Sequence, residues 1–120
     1  MMPTRTRMRK ADKKIENLLC DALNKVCDTA LTDVVGFKWI THFVDYKDVA
    51  GSLAIVCVFE TNDELSGALA AHQDDHLRGL IGEKLSAVGI SVTDMQRQVS
   101  FDTEEACTNE HEGKWKNRFR

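Results

Sequence analysis

Four cysteines and four histidines are the side chains of this chain best suited to chemistry, and their spacing limits what that chemistry can be. Cys20, Cys27, Cys57 and Cys107 are widely separated, and no C-x-x-C motif occurs. Such thiols are expected to be reduced, with Cys57 acting as a small hydrophobe inside a strand-like run. His72 and His76 stand four residues apart, as do Cys107 and His111. Each pair puts two ligands on one helical face, the pattern of half a tetrahedral zinc site, which makes this quartet the metal candidate. The first pair straddles an expected helix break and nothing fixes one pair near the other, so no metal and no cofactor are assigned. His42 alternates with apolar neighbours and reads as a half-buried sheet residue rather than a base.

Motifs for catalysis are missing from the sequence. There is no G-x-S-x-G elbow, no phosphate loop ending in G-K-[ST] and no glycine-rich dinucleotide turn after a strand. The many carboxylates are explained by a solvated acidic face, and the chain is expected not to be an enzyme. Two stretches have nucleic-acid-binding spacing. Gly79 and Gly82 spell the G-x-x-G of a KH domain, but they fall inside an apolar helical stripe with only Arg78 and Lys84 as basic neighbours. A helix-turn-helix could run from Leu85 to Val99 with its turn at Gly89-Ile90-Ser91. Lys84 and Leu85 fit that pattern poorly, and the β-branched Ile90, Val92 and Thr93 predict a strand instead.

Charge is strongly segregated behind a net value of −3. Residues 1–14 carry Arg5, Arg7, Arg9, Lys10, Lys13 and Lys14 against Asp12 alone, a net +5. Residues 114–120 carry Lys114, Lys116, Arg118 and Arg120, a net +4. The body between them holds six cations and eighteen carboxylates, a net −12. An acidic body repels phosphate, so any nucleic-acid contact must use the two basic ends, with Arg5, Arg7, Arg9, Lys10, Lys13, Lys14, Lys114, Lys116 and Arg118 as its candidates. The same ends could dock on an acidic protein, including another copy of this one.

The elements that position these groups follow from periodicity. From Asp12 to Val35 apolar residues recur every three or four positions, which predicts a long amphipathic helix stopped by Gly36. Phe37 to Tyr46 and Leu53 to Phe59 are rich in aromatic and β-branched residues and predict two strands joined by a short turn over Lys47 to Gly51. The second run is apolar on both sides, as a central strand should be. Thr61 and Glu64 form a capping box for a helix through Leu65, Ala68 and Leu69, and an aspartate after a break at His72 starts another that Gly89 ends. Ile90 to Phe101 predicts a strand with a bulge, and Asp102 with Glu105 caps a last helix ending at Gly113.

The expected fold is α+β: a three-stranded, mostly antiparallel sheet with helices on one face, in the order α-β-β-α-α-β-α. The chain divides into a flexible basic arm (1–11), one domain (12–113) and a basic tail (114–120). With 120 residues, 42% hydrophobic and 29% charged, it matches an ordinary globular domain. Its longest apolar run, Leu53 to Phe59, is too short for a membrane span, and no export signal is seen, so a cytoplasmic protein is expected. Phe37, Trp39 and Phe43 share one face at period two and are expected to pack against the helices. Trp39 and Phe43 are also the candidates for a partner-binding face, together with Trp115, whose cationic neighbours suggest an anchor folding back on the acidic body.

Three stretches carry a family resemblance: Phe37 with Trp39-Ile40-Thr41-His42, then Val56-Cys57-Val58-Phe59, then Val99 to Cys107 (VSFDTEEAC). With them the chain, from Met8 to Phe119, resembles a family of small uncharacterised bacterial proteins often labelled Fis family transcriptional regulators. The resemblance implies a conserved small domain and supplies no site residues. The function expected from the residues themselves is a non-enzymatic binding domain acting through protein–protein contacts or self-association. The alternative is a DNA- or RNA-binding regulator using the basic termini.

Overall fold

The computed structural model of the chain describes residues 10–119. Helix α1 (Lys10–Asp33) carries Leu19, Ala22, Leu23, Val26 and Ala30 as its buried stripe and ends at Gly36, whose φ of 86° only glycine adopts without strain. A β-hairpin comes next, made of β1 (Phe37–Phe43) and β2 (Ala54–Phe59). The expected turn contains one helical turn, α2 (Val49–Ser52), because the Asp48 carboxylate accepts from the Gly51 amide. Thr61 and Glu64 close the capping box of α3 (Asn62–Ala70): the Glu64 amide donates to the Thr61 hydroxyl, which in turn donates to the Glu64 carboxylate. The next helix, α4 (Gln73–Ala87), begins at His72, not at a capping aspartate; His72 takes the left-handed conformation (φ 61°) that breaks the chain there.

The segment after α4 departs from expectation. Ile90 to Gln98 does not pair as a strand, and no recognition helix forms either. Ile90 is buried, Thr93 donates its amide to the Ala50 carbonyl, and Asp94 caps the single turn α5 (Met95–Gln98). Gln98 holds this loop down: its buried amide donates to the carbonyls of Ala50 and Leu53 and accepts from the Asp94 amide and the Thr93 hydroxyl. Only then does β3 (Val99–Thr103) begin. The closing helices are α6 (Glu104–His111), capped by Thr103 in place of Asp102, and the one-turn α7 (Trp115–Arg118).

The sheet order is β1-β2-β3, with β2 central. β1 is antiparallel to β2, but β3 is parallel to it, so the sheet is mixed rather than mostly antiparallel. The cause is the crossover through α3 and α4, which carries the chain back to the end of the sheet where β2 started. Ile55, Cys57 and Phe59 point to the face that α1 and α4 cover and are fully buried there, with Leu77, Ile81 and Leu85 of α4 in the same core. Covering helices are not confined to that face, because α7 lies over the other one.

Strand β1 carries a bulge that re-aims its aromatic side chains. The register shifts between Phe37, opposite Phe59, and Trp39, opposite Val58. Phe37 therefore joins the core, edge-on to Phe59, while Trp39 and Phe43 turn to the opposite face. The three aromatics do not share one face.

Candidate functional site

One side of α1 meets the end of β1 in a polar cluster. Glu16 and Cys20 stand one helical turn apart beside the buried stripe, and His42 projects from the helix-facing side of β1. Tyr46 lies three residues beyond the strand. The Glu16 carboxylate is the hub: it accepts from the Tyr46 hydroxyl at 2.6 Å, faces His42 Nε2 at 3.1 Å, and accepts from the Cys20 thiol at 3.2 Å. With an ionised carboxylate opposite, Nε2 carries the imidazole proton. Side-chain exposure is 16% for His42 and 30% for Glu16, so the cluster is half-buried.

The electrostatics reflect that convergence. Burial alone pushes the Glu16 carboxyl upward, but the hydrogen bonds from Tyr46, His42 and Cys20 outweigh it and hold the group below its usual range. Burial and the adjoining carboxylate both push the Cys20 thiol up, and the same two causes raise the Tyr46 phenol. A thiol kept protonated by a neighbouring anion is not an activated nucleophile. What the cluster does offer is a set of donor atoms. One ligand atom each from Glu16, Cys20 and His42 lie within 4.8 Å of one another, the one such group of three among the described residues.

Sequence reasoning did not find this cluster. Glu16 and Cys20 show the same four-residue spacing that drew attention to the histidines, but their third member lies 26 residues from Glu16 and is brought in only by the sheet. The quartet singled out from spacing does not assemble. His76 pairs with Asp33 at 3.4 Å, His72 starts α4, Cys107 is buried in α6, and His111 Nδ1 contacts the Arg118 guanidinium.

The C-terminal segment forms a second arrangement. Trp115 packs edge-on against Trp39 with centroids 4.9 Å apart, and its indole N–H donates to Glu104 at 2.8 Å. Trp39 donates to the other oxygen of the same carboxylate at 2.7 Å. Phe119 packs on Phe43 and on Trp115. Arg118 grips both oxygens of Asp102, at 2.6 and 2.9 Å, and reaches Glu110 at 2.9 Å. These contacts seal the sheet face over Val58, which is fully buried. Residues 114–119 are thus a strap on the domain rather than a separate tail. Arg118 is consumed in holding it, while Lys114 meets Glu112 at 3.7 Å and Lys116 is exposed. Trp39 and Trp115 partly cover each other, and Phe43 stays 44% exposed at the strap's edge.

Of the N-terminal cations, Lys10, Lys13 and Lys14 lie exposed on the first turns of α1, and Arg5, Arg7 and Arg9 fall outside the described residues. At the far end of that helix, Leu31 and Val35 are 54% and 81% exposed. Val35 borders a cleft of about 270 Å³ that Gly67 and Ala68 of α3 and the following Ala71 line from the other side, with Asp33 and Glu64 at its rim. Gly79 and Gly82, the pair with KH spacing, sit inside α4, where Gly82 leaves room for the Met95 methyl. No family model matches the chain, and no curated protein or solved structure does either.

Proposed function

We propose that this protein is a non-enzymatic binding domain that acts through contact with a protein partner, and that Leu31 at the end of α1 and Val35 just beyond it mark its contact face. The observation that carries this reading is the exposure of Val35, a β-branched apolar residue left 81% open beside an apolar cleft. An exposed apolar side chain beside a groove marks interaction surfaces more often than a scattered one does. Asp33 and Glu64 at the rim favour a partner segment that presents an apolar side chain flanked by a cation. The protonated thiol and phenol around Glu16 support binding over covalent catalysis.

The test is enrichment of the tagged full chain from its own cells, beside a Leu31→Asp/Val35→Asp variant that melts at the same temperature. The reading expects one protein retained by the parent and lost from the variant. Retention of the same proteins by both would refute it. A second reading, a nucleic-acid-binding regulator, is supported by the exposed Lys10, Lys13 and Lys14, which adjoin three further arginines in sequence. It expects binding to random duplex DNA that falls steeply with salt and weakens when those lysines become alanine.

A further inference from the structure

We infer that Glu16, Cys20 and His42 form a binding site for one divalent cation of the zinc class. The donor set is one carboxylate oxygen, one thiol sulfur and one imidazole nitrogen, which is the mixture borderline-soft ions such as zinc and cobalt(II) take. Calcium and magnesium, which want oxygen alone, do not fit it.

Geometry supports the assignment. With metal–ligand bonds of about 2.0–2.3 Å, tetrahedral ligand atoms lie about 3.5 Å apart. Here one Glu16 oxygen is already 3.1 Å from His42 Nε2, the other is 3.2 Å from Cys20 Sγ, and one ligand atom from each of the three residues falls within 4.8 Å of the others. Closing on an ion requires only small side-chain movements on two rigid elements, α1 and β1. Tyr46 supplies a donor to the ligating carboxylate, the kind of outer partner that orients metal ligands. Tyr46 also lines a cleft with Asp12, Asp45 and Lys47, where two carboxylates against one ammonium leave a net negative charge beside the cluster. When the ion takes the sulfur and Nε2, the thiol proton now shared with Glu16 leaves to solvent and the imidazole proton moves by way of solvent from Nε2 to Nδ1, leaving a neutral ring. Three protein ligands leave one tetrahedral position open to water or to a group from a partner.

The experiment titrates the full-length protein with cobalt(II) and with zinc. One equivalent is expected to bind, with a thiolate-to-cobalt charge-transfer absorption that Cys20→Ser removes and Cys27→Ser leaves intact. His42→Ala is expected to weaken binding at least tenfold. Tyr46→Phe is expected to weaken it about tenfold, the usual effect of removing an outer partner. A readout that needs no variant is alkylation of the parent protein, mapped by mass spectrometry. Zinc should slow modification of Cys20 at least tenfold and leave Cys27 unchanged. Absence of saturable binding at one equivalent, a charge-transfer band that survives Cys20→Ser, or equal protection of both thiols overturns the assignment.

Discussion

Replacing Trp115 by alanine isolates the contribution of the C-terminal strap. The ring makes an edge-on pair with Trp39 and a tilted pair with Phe119, and its N–H donates to Glu104. Each aromatic pair is worth about 0.5–1.5 kcal/mol beyond burial. The hydrogen bond, partly exposed to solvent, adds about 1 kcal/mol, and burial of a half-covered ring about 1 kcal/mol more. Allowing for relaxation of α7, the loss comes to about 3 kcal/mol, and for a chain of this size to a fall in melting temperature of about 10–12 °C. The Trp115→Phe variant keeps the ring and loses the donor, so it should fall by about 4 °C. The chain has two tryptophans, so in Trp115→Ala the emission comes from Trp39 alone. Uncovered, Trp39 should emit at longer wavelength than in Trp115→Phe. A melting temperature within about 2 °C of the parent, with Trp39 emission unchanged, would refute the strap.

Three further outcomes rest on contacts elsewhere in the domain. Gln98→Ala takes the side-chain donor from the Leu53 carbonyl and the acceptor from the Asp94 amide, while Ala50 keeps its bond from Thr93, and chemical denaturation should show a loss of about 3 kcal/mol. Arg118→Lys keeps the charge but loses the two-pronged grip on Asp102; a loss of about 1–1.5 kcal/mol is expected, far from zero despite the retained charge. Burial pushes the Cys57 thiol from about 9 up to about 12. Between those values the unfolded chain has given up the proton and the folded one keeps it, so stability is full below pH 9 and falls as pH rises. The difference between the parent and Cys57→Ala should therefore shrink by up to about 1.4 kcal/mol per pH unit above pH 9 in denaturant melts.

The local signals in the sequence carried most of the elements. The stripe of α1, the stop at Gly36, the capping box of Thr61 and Glu64, and the apolar character of the central strand each rest on neighbours within a few residues, and each appears where periodicity put it. What failed depended on distant partners. Val92 and Thr93 look like strand residues, yet Gln98 and Ala50 pull their segment into a loop. Period two placed Phe37 with Trp39, and one bulged residue reversed that. The direction of β3 was set by the crossover through α3 and α4. The Glu16 cluster was invisible for the same reason, since His42 joins it only through sheet placement. Trp115 folds back on the acidic body as its cationic neighbours suggest, while its partner Trp39 and the fork of Arg118 on Asp102 depend on distant residues.

The most direct test of the contact face places a photoreactive side chain at Val35 and, as a control, at the exposed Glu83 of α4. Irradiation in living cells should give one protein adduct from position 35 and none of that mass from position 83. Adducts of equal yield and identity from both positions, or none from position 35, would contradict a partner bound at the end of α1.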